Sequence, residues 1–281
     1  MKHNAEVIKN VKLALSEDVL HGDLTAQLTP DIPDSEAVII CRNHAILCGQ
    51  DWFNQCFLEL NSAIKINWHA KDGDKIKPGA IICNIVGSSR SILTAERSAL
   101  NFLQLLSGVA TKTQEYVDCI AGTKAKILDT RKTIPGLRYA QKYAVSVGGG
   151  VNHRMGLWDA ILIKENHISA AGGITPALKK AQSFSSKAKW IQIEVENIDQ
   201  LKEAIDAGAK MILLDNMSLS DIQQAVVLNE NRAVLEASGG ITLPKIRAIA
   251  ETGVHRISIG TLTKDILSVD LSLRFLNYKN N

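Results

Sequence analysis

The feature that most constrains the fold is a regular alternation of short aliphatic runs with amphipathic stretches, which begins near residue 126. The runs have the length of strands, and the stretches between them carry apolar residues at helical spacing. The candidate strands are AKILDTR, DAILIKENH, WIQIEVEN, MILLDNM, AVLEASGG and HRISIGTL. The candidate helices between them are GLRYAQKYAVSV, TPALKKAQSF, IDQLKEAIDAGA, LSDIQQAVVLN and LPKIRAIAETG. This alternation predicts βα units around a parallel sheet.

The polar residues that end the later strands recur at a nearly constant interval. Glu194 and Asp215 are 21 residues apart, Asp215 and Glu236 are 21 apart, and Glu236 and Ser258 are 22 apart. So short a period favours an α/β barrel, in which active-site groups gather at the carboxyl ends of the strands. An open, doubly wound sheet is the alternative, because periodicity alone does not say whether the sheet closes.

Composition narrows the class of protein further. The chain has 281 residues, of which 46% are hydrophobic and 22% are charged, as in ordinary globular proteins. The polar start MKHNAEVIKN is unlike a signal peptide, so we expect a cytoplasmic protein without a membrane-spanning segment. Five cysteines with no CxxC pair are expected to be reduced and mostly buried. A net charge of +3 is too small to argue for a nucleic-acid partner.

The first part of the chain, up to about residue 108, does not show this alternation of strand and helix patterns. A helix near the start and alternating stretches such as EAVIICR and AIKINWHA predict an α/β sandwich. The stretch GDKIKPGAIICNIVG resembles the hairpin of biotinyl and lipoyl carrier domains. It has no lysine in a Met-Lys-Met setting at its tip, so we interpret it as a structural hairpin.

One long helical region, TAERSALNFLQLLSGVATKTQEYVDCIAG, marks the predicted domain boundary. Thr94 is the candidate N-cap of this helix, and Gly108 is a candidate break. We therefore predict a sandwich domain over residues 1–108 and a catalytic barrel over residues 109–267. The tail 268–281 is a candidate to pack back on the sandwich domain.

The predicted strand ends and the turns after them collect a highly polar set of residues. These are Arg131, Lys132, His153, Arg154, Lys164, Glu194, Asp215, Ser238, Gly239, Gly240 and Gly260. Arginine forks bind carboxylate or phosphate through two hydrogen bonds, and lysine adds a mobile point charge. Each cation taken alone is as well explained as a solvated loop charge. Their recurrence at successive strands favours a site for a polyanionic substrate.

Lys164 follows the apolar run AILI and is therefore carried on a strand that leads into the interior. Three roles are open for it: an ion pair with Glu194 or Asp215, a Schiff base as in barrel aldolases, or a clamp on substrate anions. The surrounding arginines favour the clamp.

Glu194 and Asp215 end neighbouring candidate strands, so both should face one cavity. Two such carboxylates can hold Mg²⁺ beside substrate phosphates, and they can stabilise an oxocarbenium-like transition state. Buried acids that accept hydrogen bonds from local backbone N–H groups are the alternative.

Ser238, Gly239 and Gly240 lie between a candidate strand and the start of a helix. Gly260 repeats this arrangement one unit later. Phosphate sites in barrels commonly follow the last two strands, where bare backbone amides and a helix N-terminus face the anion. We therefore predict that these residues bind phosphate.

These motifs, in this order, resemble the quinolinate phosphoribosyltransferase family over nearly the whole chain. The matching stretches are EDVLHGDLT, GDKIKPG, TAERSALNFLQLLSGVAT, DTRKTIPGLR, GGGVNHRMGLWDAILIKENH, IEVEN, ILLDN, EASGGI and SIGTLT. Glu165 and Ile134 depart from the expected aspartate and threonine, but they replace none of the charged positions. The resemblance implies an N-terminal α/β sandwich followed by an incomplete α/β barrel of the TIM type.

The resemblance also implies an activity. The phosphoribosyl group of phosphoribosyl pyrophosphate (PRPP) would pass to quinolinate with decarboxylation, giving nicotinate mononucleotide, carbon dioxide and pyrophosphate for NAD biosynthesis. The implied quinolinate-binding residues are Arg131, Lys132, His153, Arg154 and Lys164. Glu194 and Asp215 would face the ribose and its Mg²⁺, with Lys164, Glu194 and Asp215 as the catalytic residues. The implied 5-phosphate site is Ser238, Gly239, Gly240 and Gly260.

Arg97 stands apart, because it lies in the TAERSALNFL helix before the barrel pattern begins. The residues alone favour an ordinary surface ion pair for it. The resemblance instead implies a homodimer or a multiple of dimers, in which Arg97 reaches into the partner's barrel and adds a cation for a substrate carboxylate.

Three other functions stay open at this point. A paralogue associated with molybdenum transport would keep the phosphate loops, but it would be expected to lose the arginine cluster, which Arg131, Lys132 and Arg154 form here. A Schiff-base aldolase or lyase would use Lys164 and would be trapped by borohydride. A noncatalytic binding module would take up ligand without releasing pyrophosphate.

Overall fold

The computed structural model describes residues 2–276, and these form two compact units. Of the described residues, the first unit comprises residues 2–112, Ile134–Gly149 and residues 265–276. The second unit comprises Thr113–Thr133 and Gly150–Lys264. The chain therefore returns to the first unit twice. Among the described residues, no helix is both long enough and apolar enough to cross a membrane.

An antiparallel sheet of four strands organises the first unit, in the order β12, β1, β5, β3. These strands are β1 (Ser35–Cys41), β3 (Lys65–Trp68), β5 (Ile81–Gly87) and β12 (Leu271–Phe275). A separate pair joins β2 (Ala45–Ile46) to β4 (Lys75–Ile76). The unit also contains α1 (Lys2–Asp18), a 3₁₀ turn at Ala26–Leu28, α2 (Gln50–Leu60) and α4 (Arg138–Val147).

The central strand of this sheet is covered on both faces. Consecutive residues Ala37, Val38 and Ile39 of β1 are all buried, although side chains of neighbouring residues point to opposite faces of a strand. This pattern is that of an α/β sandwich. The predicted tail 268–281 supplies the edge strand β12, and its residues 277–281 lie outside the described part of the chain.

The turn in GDKIKPGAIICNIVG forms, but the strands on either side of it do not pair with each other. The Ala80 N–H donates to the Lys77 carbonyl oxygen at 3.2 Å, which closes the turn. β4 then pairs with β2, whereas β5 pairs with β1 and β3. The predicted hairpin is therefore wrong. Turn chemistry is local, whereas strand pairing depends on residues far apart in sequence.

One continuous helix, α3, spans Ser89–Cys119 and begins before the predicted N-cap Thr94. The Ser88 Oγ accepts a hydrogen bond from the Ser91 N–H at 3.2 Å, so Ser88 caps the first turn. Thr94 instead lies inside the helix and donates its hydroxyl to the Arg90 carbonyl oxygen at 2.9 Å. The N-cap prediction was therefore wrong, because three serines in GSSRS start the helix earlier than its apolar pattern does.

Gly108 does not break α3, contrary to the prediction. A Cβ atom at this position would overlap the carbonyl oxygen of Leu267 and lie 3.2 Å from its carbonyl carbon. Gly108 therefore permits close packing of a backbone segment against the helix.

Six parallel strands organise the second unit, and all six were predicted. They are β6 (Lys126–Leu128), β7 (Ile161–Ile163), β8 (Ile191–Val195), β9 (Met211–Asp215), β10 (Val234–Ser238) and β11 (Arg256–Ser258). The predicted helices follow as α6 (Ile174–Gln182), α7 (Ile198–Asp206), α8 (Leu219–Asn229) and α9 (Leu243–Glu251). Shorter segments were not predicted: α5 (Glu165–Ala171), a 3₁₀ turn at Ser185–Lys187 and α10 (Thr261–Lys264).

The strand order decides between a barrel and an open sheet. The order is β6, β11, β10, β9, β8, β7, so the first and last strands in sequence are hydrogen-bonded neighbours. A doubly wound sheet would reverse its order at a switch point, and this sheet does not. Within the described residues β6 and β7 do not pair, and β6 meets only a single bridge, from Leu128 to Val151, at that side. The predicted fold class, an α/β sandwich followed by an incomplete α/β barrel, is confirmed.

Side chains meet across the interior of this barrel. Gln192 of β8 and Glu236 of β10 are hydrogen-bonded at 3.1 Å although β9 lies between their strands. Such a contact requires a strongly curved sheet. The interior of the barrel is therefore partly polar, and the polar groups lie beneath the carboxyl ends of the strands.

Candidate active site

A cavity of about 650 Å³ opens at the carboxyl ends of the barrel strands, and all its lining residues belong to the second unit. Active sites of α/β barrels lie at this face. Eleven of the twelve predicted site residues line it: Arg131, Lys132, His153, Arg154, Lys164, Glu194, Asp215, Ser238, Gly239, Gly240 and Gly260. Arg97 belongs to the first unit, where it lies exposed on α3.

The cations of the cavity include two arginines close enough to repel each other. Burial lowers the pKa of the Arg154 guanidinium, and the positive charge of Arg131 lowers it further. Only 7% of Arg154 is exposed, and its Nη1 donates to the Ala160 carbonyl oxygen at 3.1 Å. A buried cation beside a second cation is costly unless an anion neutralises them. This part of the cavity is therefore suited to a carboxylate or phosphate.

Lys164 lies where β7 ends, at the N-cap of α5. Its Nζ is 2.7 Å from Glu194 Oε2, and the side chain is half exposed while that of Glu194 is 11% exposed. The backbone N–H of Lys164 donates to His167 Nδ1 at 3.0 Å, which holds the residue at the strand end. Of the partners that the sequence left open, the structure therefore selects Glu194 rather than Asp215.

His153 is held from several sides. The backbone N–H of His153 donates to Asp129 Oδ1 at 2.8 Å, and its Nδ1 accepts the backbone N–H of Arg154 at 2.9 Å. The imidazole Nε2 lies 3.1 Å from Gln192 Oε1. The Trp190 and His153 rings form a T-shaped pair, with centroids 4.9 Å apart. Together these contacts hold the imidazole ring of His153 in its orientation.

Glu236 lies at the floor of the cavity and is fully buried. Its Oε2 accepts from Gln192 Nε2 at 3.1 Å, and its Oε1 is 3.5 Å from His153 Nε2. Burial raises the pKa of the Glu236 carboxyl, and the nearby Asp129 charge adds to this. The hydrogen bond from Gln192, the nearby Ser258 hydroxyl and the Arg256 charge oppose the rise.

Asp215 ends β9 and is oriented by the residue that follows it. Asn216 adopts a left-handed backbone conformation, with φ of 53°. Its Nδ2 donates to Asp215 Oδ2 at 2.8 Å, and its backbone N–H donates to the Ser238 carbonyl oxygen at 3.0 Å. Asn216 therefore links the carboxylate at the end of β9 to the glycine turn after β10.

The two glycine turns that we predicted to bind phosphate are both sites of close approach. A Cβ on Gly239 would overlap the Asn216 side chain, and a Cβ on Gly260 would lie 2.9 Å from Lys132 Cδ. Gly239 and Gly240 also have positive φ angles of 96° and 56°. These turns bring backbone amides to the cavity where side chains would fill it.

The carboxylates of the cavity do not form a complete metal cage. Among residues 2–276, no three His, Cys, Asp or Glu side chains are grouped so as to hold a metal ion by themselves. Glu194 and Asp215 both line the cavity and are partly exposed. Mg²⁺ usually binds through one or two carboxylates, with water and substrate phosphates as its other ligands. The donor set fits that mode of binding.

Comparison with known proteins decides the family. Residues 23–107 match the family described as quinolinate phosphoribosyl transferase, N-terminal domain, and residues 109–274 match the one described as its C-terminal domain. The chain belongs to the quinolinate phosphoribosyltransferase family. The resemblance stated from the sequence motifs is thereby confirmed.

Similar members of the quinolinate phosphoribosyltransferase family span nearly the whole chain. A probable nicotinate-nucleotide pyrophosphorylase (carboxylating) of Bacillus subtilis (strain 168) is 42% identical over 257 residues, covering 92% of this chain and 89% of that protein. The mitochondrial quinolinate phosphoribosyltransferase (decarboxylating) 2b of Nicotiana tabacum is 39% identical, and the match covers 94% of this chain and 80% of that protein. The nicotinate-nucleotide pyrophosphorylase from Francisella tularensis, whose structure is solved, is 50% identical in sequence. Its structure matches with a TM-score of 0.94, covering 97% of this chain and 96% of that chain.

Several cavity residues of this family member were not predicted as site residues. Asn216 directly follows a predicted strand end, so its position gave a signal that we did not use. Lys264 lies on α10, beyond the turn after β11, and lines the cavity as a further cation. Glu236 was noted only as a member of the strand period. It was expected to end its strand, but it lies in the middle of β10, and nothing in the sequence indicated that its side chain would join His153 and Gln192.

Proposed function

We propose that this chain transfers the phosphoribosyl group of PRPP to quinolinate and decarboxylates the product to nicotinate mononucleotide. The observation that carries this proposal is one cavity that combines a cationic half, a glycine half and two carboxylates, with Lys132 beside Gly260 where the two halves meet. Arginines and lysines lie at the ends of β6 and β7, and bare glycine turns follow β10 and β11. A dicarboxylate and a phosphorylated sugar require such a pair of sites.

The cationic half of the cavity binds quinolinate in this proposal. The residues assigned to it are Arg131, Lys132, His153, Arg154 and Lys164. The repulsion between Arg131 and Arg154 is relieved when a carboxylate lies between them. Lys164 exchanges part of its interaction with Glu194 for a substrate carboxylate, which its half-exposed side chain permits.

The glycine half of the cavity binds PRPP. Ser238, Gly239, Gly240 and Gly260 receive the 5-phosphate through backbone N–H groups, since the three glycines carry no side chain that would block close approach. Glu194 and Asp215 face the ribose. A Mg²⁺ ion held by these two carboxylates and by the pyrophosphate would neutralise the leaving group.

The proposed chemistry has two steps. The pyridine nitrogen attacks the anomeric carbon of the ribose, and the bond from that carbon to pyrophosphate breaks. Glu194 and Asp215 offset the positive charge that develops on the ribose. The quaternary nitrogen then accepts electron density as the neighbouring carboxylate leaves as carbon dioxide, and a proton replaces it on the ring. Lys164 and the arginines hold the dicarboxylate in place until that bond breaks.

We further propose that the protein acts as a homodimer or a multiple of dimers. Arg97 would add a cation to the cavity of the partner subunit. Its exposure on α3 suits such a role, and Glu96 beside it is a half-buried acid whose pKa is raised by burial and lowered again by Arg97.

The test is incubation of the purified protein with quinolinate, PRPP and Mg²⁺, followed by detection of nicotinate mononucleotide. Nicotinate in place of quinolinate is the control.

We expect Lys164→Ala and Asp215→Ala to abolish turnover without lowering the melting temperature, because both side chains serve ligand charges at strand ends. Ligand uptake without pyrophosphate release would indicate a binding module instead. Borohydride trapping of Lys164 with a carbonyl substrate would indicate a Schiff-base enzyme.

A further inference from the structure

Three buried polar side chains form a chain beneath the cavity. Gln192 and Glu236 have no exposed surface, and His153 is 8% exposed. The imidazole Nε2 of His153 is 3.1 Å from Gln192 Oε1, and Gln192 Nε2 is 3.1 Å from Glu236 Oε2. Polar groups so deep in a barrel are costly unless they are hydrogen-bonded, and of the oxygens in this chain only Glu236 Oε1, 3.5 Å from His153 Nε2, has no hydrogen bond. Their arrangement therefore constrains where the protons lie.

The order of donors and acceptors along this chain can be identified from one end. The backbone N–H of Arg154 can only donate, and it points at His153 Nδ1 at 2.9 Å, so Nδ1 carries no proton. The neutral imidazole then holds its proton on Nε2 and donates it to Gln192 Oε1. The amide nitrogen of Gln192 is left to donate to Glu236 Oε2.

The ring of His153 in turn positions Arg154. The hydrogen bond from the Arg154 backbone N–H to His153 Nδ1 fixes the Arg154 main chain. The Arg154 guanidinium donates to the Ala160 carbonyl oxygen at 3.1 Å. A change of tautomer or a rotation of the imidazole would break the bond to the Arg154 N–H. The guanidinium would then lose its place in the cavity wall.

We propose that Gln192 and Glu236 are positioning residues for the quinolinate half of the site, because they hold His153 as the Nε2–H tautomer and so keep Arg154 in place. The inference rests on the proposed function, since quinolinate binding is its kinetic readout. It assigns Glu236 no contact with the reacting atoms. The alternative is a purely structural polar cluster, which would affect stability and both substrates together.

The test exchanges donor and acceptor within one hydrogen bond. In Gln192→Glu, two carboxyl groups face each other where the wild type has an amide N–H and an oxygen. We expect the KM for quinolinate to rise about tenfold, which is the ratio that a mismatched buried hydrogen bond produces. The KM for PRPP should stay near its wild-type value. In the double variant Gln192→Glu/Glu236→Gln, the carboxylate at position 192 again accepts from His153 and from the amide at position 236, so quinolinate binding should recover.

A second measurement does not depend on turnover. The ¹⁵N chemical shifts of an imidazole distinguish its tautomers, and we expect the Nε2–H form for His153 in the wild type. This single form should be lost in Glu236→Leu, which cannot hold the Gln192 amide. If the wild type forms no nicotinate mononucleotide, the proposed function fails while the tautomer result stands separately. The positioning role is overturned by an Nδ1–H tautomer in the wild type, by equal rises in both KM values, or by a double variant as impaired as Gln192→Glu.

Discussion

Gly239 and Gly240 are adjacent residues with positive φ angles but different surroundings. A Cβ on Gly239 would overlap Asn216 Oδ1 and lie 2.6 Å from its Cγ, whereas a Cβ on Gly240 would meet nothing within 4 Å. Asn216 also binds Asp215, so an added methyl group at position 239 would disturb the carboxylate as well as the phosphate turn. The two positions therefore form a matched pair for mutation.

We expect Gly239→Ala to raise the KM for PRPP about tenfold more than Gly240→Ala does. An alanine at position 240, whose φ of 56° lies in the left-handed region, costs about 1 kcal/mol of backbone strain. At position 239 the φ of 96° lies outside that region and steric overlap is added, so the cost is larger. Steady-state kinetics with each substrate varied in turn would measure this. The same experiment would show the KM for quinolinate changing less than that for PRPP. Equal effects of the two variants would contradict the packing described for Asn216.

The buried carboxyl of Glu236 should make the stability of the folded protein depend on pH. Burial raises the pKa of its carboxyl in the folded protein, so the folded state binds this proton more tightly than the unfolded state does. The resulting stabilisation is complete below the ordinary carboxyl pKa and is lost as the pH rises through the raised value. Asp129, Arg256 and His153 are the charged or titratable groups around it.

Glu236→Gln removes the titration while keeping an oxygen that can accept from Gln192. We expect the free energy of unfolding of the wild type, relative to this variant, to fall as the pH rises from the ordinary carboxyl pKa through the raised pKa of Glu236. Urea denaturation of both proteins across this range would measure the difference. A difference that stays constant or increases with pH would mean that Glu236 is charged throughout.

Single residues differed in how far the sequence revealed them. Arg131, Lys132 and Lys164 were predicted because each lies at a strand end or in the turn after it, and barrel geometry brings strand ends together. Gln192 and Glu236 are polar residues within strands, where the sequence does not distinguish a face turned to the interior from one turned to helices. Lys264 lies on a helix of four residues, too short to leave a periodic pattern.

Helix α3 shows how tertiary packing can override a local rule. Glycine within a helix normally costs about 0.5–1 kcal/mol relative to alanine, so the sequence suggested a break at Gly108. The helix continues through this position because the carbonyl group of Leu267 packs where a side chain would be. The unfavourable helix propensity of glycine is offset by the close contact.

We therefore expect Gly108→Ala to destabilise the protein, although the same change stabilises most helices. Overpacking of this kind costs about 1–3 kcal/mol. Asn101→Ala, at an exposed position of the same helix, is the matched control and should be neutral or slightly stabilising. Chemical denaturation of the two variants measures both effects. A stabilised Gly108→Ala protein would show that the backbone near Leu267 yields easily.

At the element level, the sequence predicted strands and helices better than it predicted their partners. The six barrel strands and their helices were confirmed because aliphatic runs and helical spacing are local signals. The pairing of β4 with β2, and of β5 with β1 and β3, was not predicted. Nothing in the turn between β4 and β5 indicates that these strands separate.

At the scale of the whole molecule, the path of the chain between its two units was the least predictable feature. The helix in GLRYAQKYAVSV forms as α4, but it belongs to the first unit although its neighbours in sequence belong to the barrel. The C-terminal strand β12 likewise completes the sheet of the first unit. A periodic pattern identifies such elements but carries no information about which core they join.

The proposed role of Arg97 makes activity a property of the assembly. Arg97→Ala and Lys164→Ala should each be inactive, because one removes a cation from the partner's cavity and the other from its own. Exchange of subunits between them should restore about a quarter of wild-type activity, because half of the dimers are mixed and one of their two sites has neither defect. Native mass spectrometry would establish that mixed dimers form. Mixed dimers without activity would show that Arg97 does not act in trans.

We propose that phosphoribosyl transfer and decarboxylation occur in this one cavity, in that order. The most direct measurement uses quinolinate labelled with ¹⁴C in the carboxylate next to the ring nitrogen, and follows labelled carbon dioxide and pyrophosphate together. We predict that carbon dioxide is released only when PRPP is present, in an amount equal to the pyrophosphate, and that Asp215→Ala releases neither. Carbon dioxide released without PRPP, or pyrophosphate released from quinolinate and PRPP without carbon dioxide, would contradict the account.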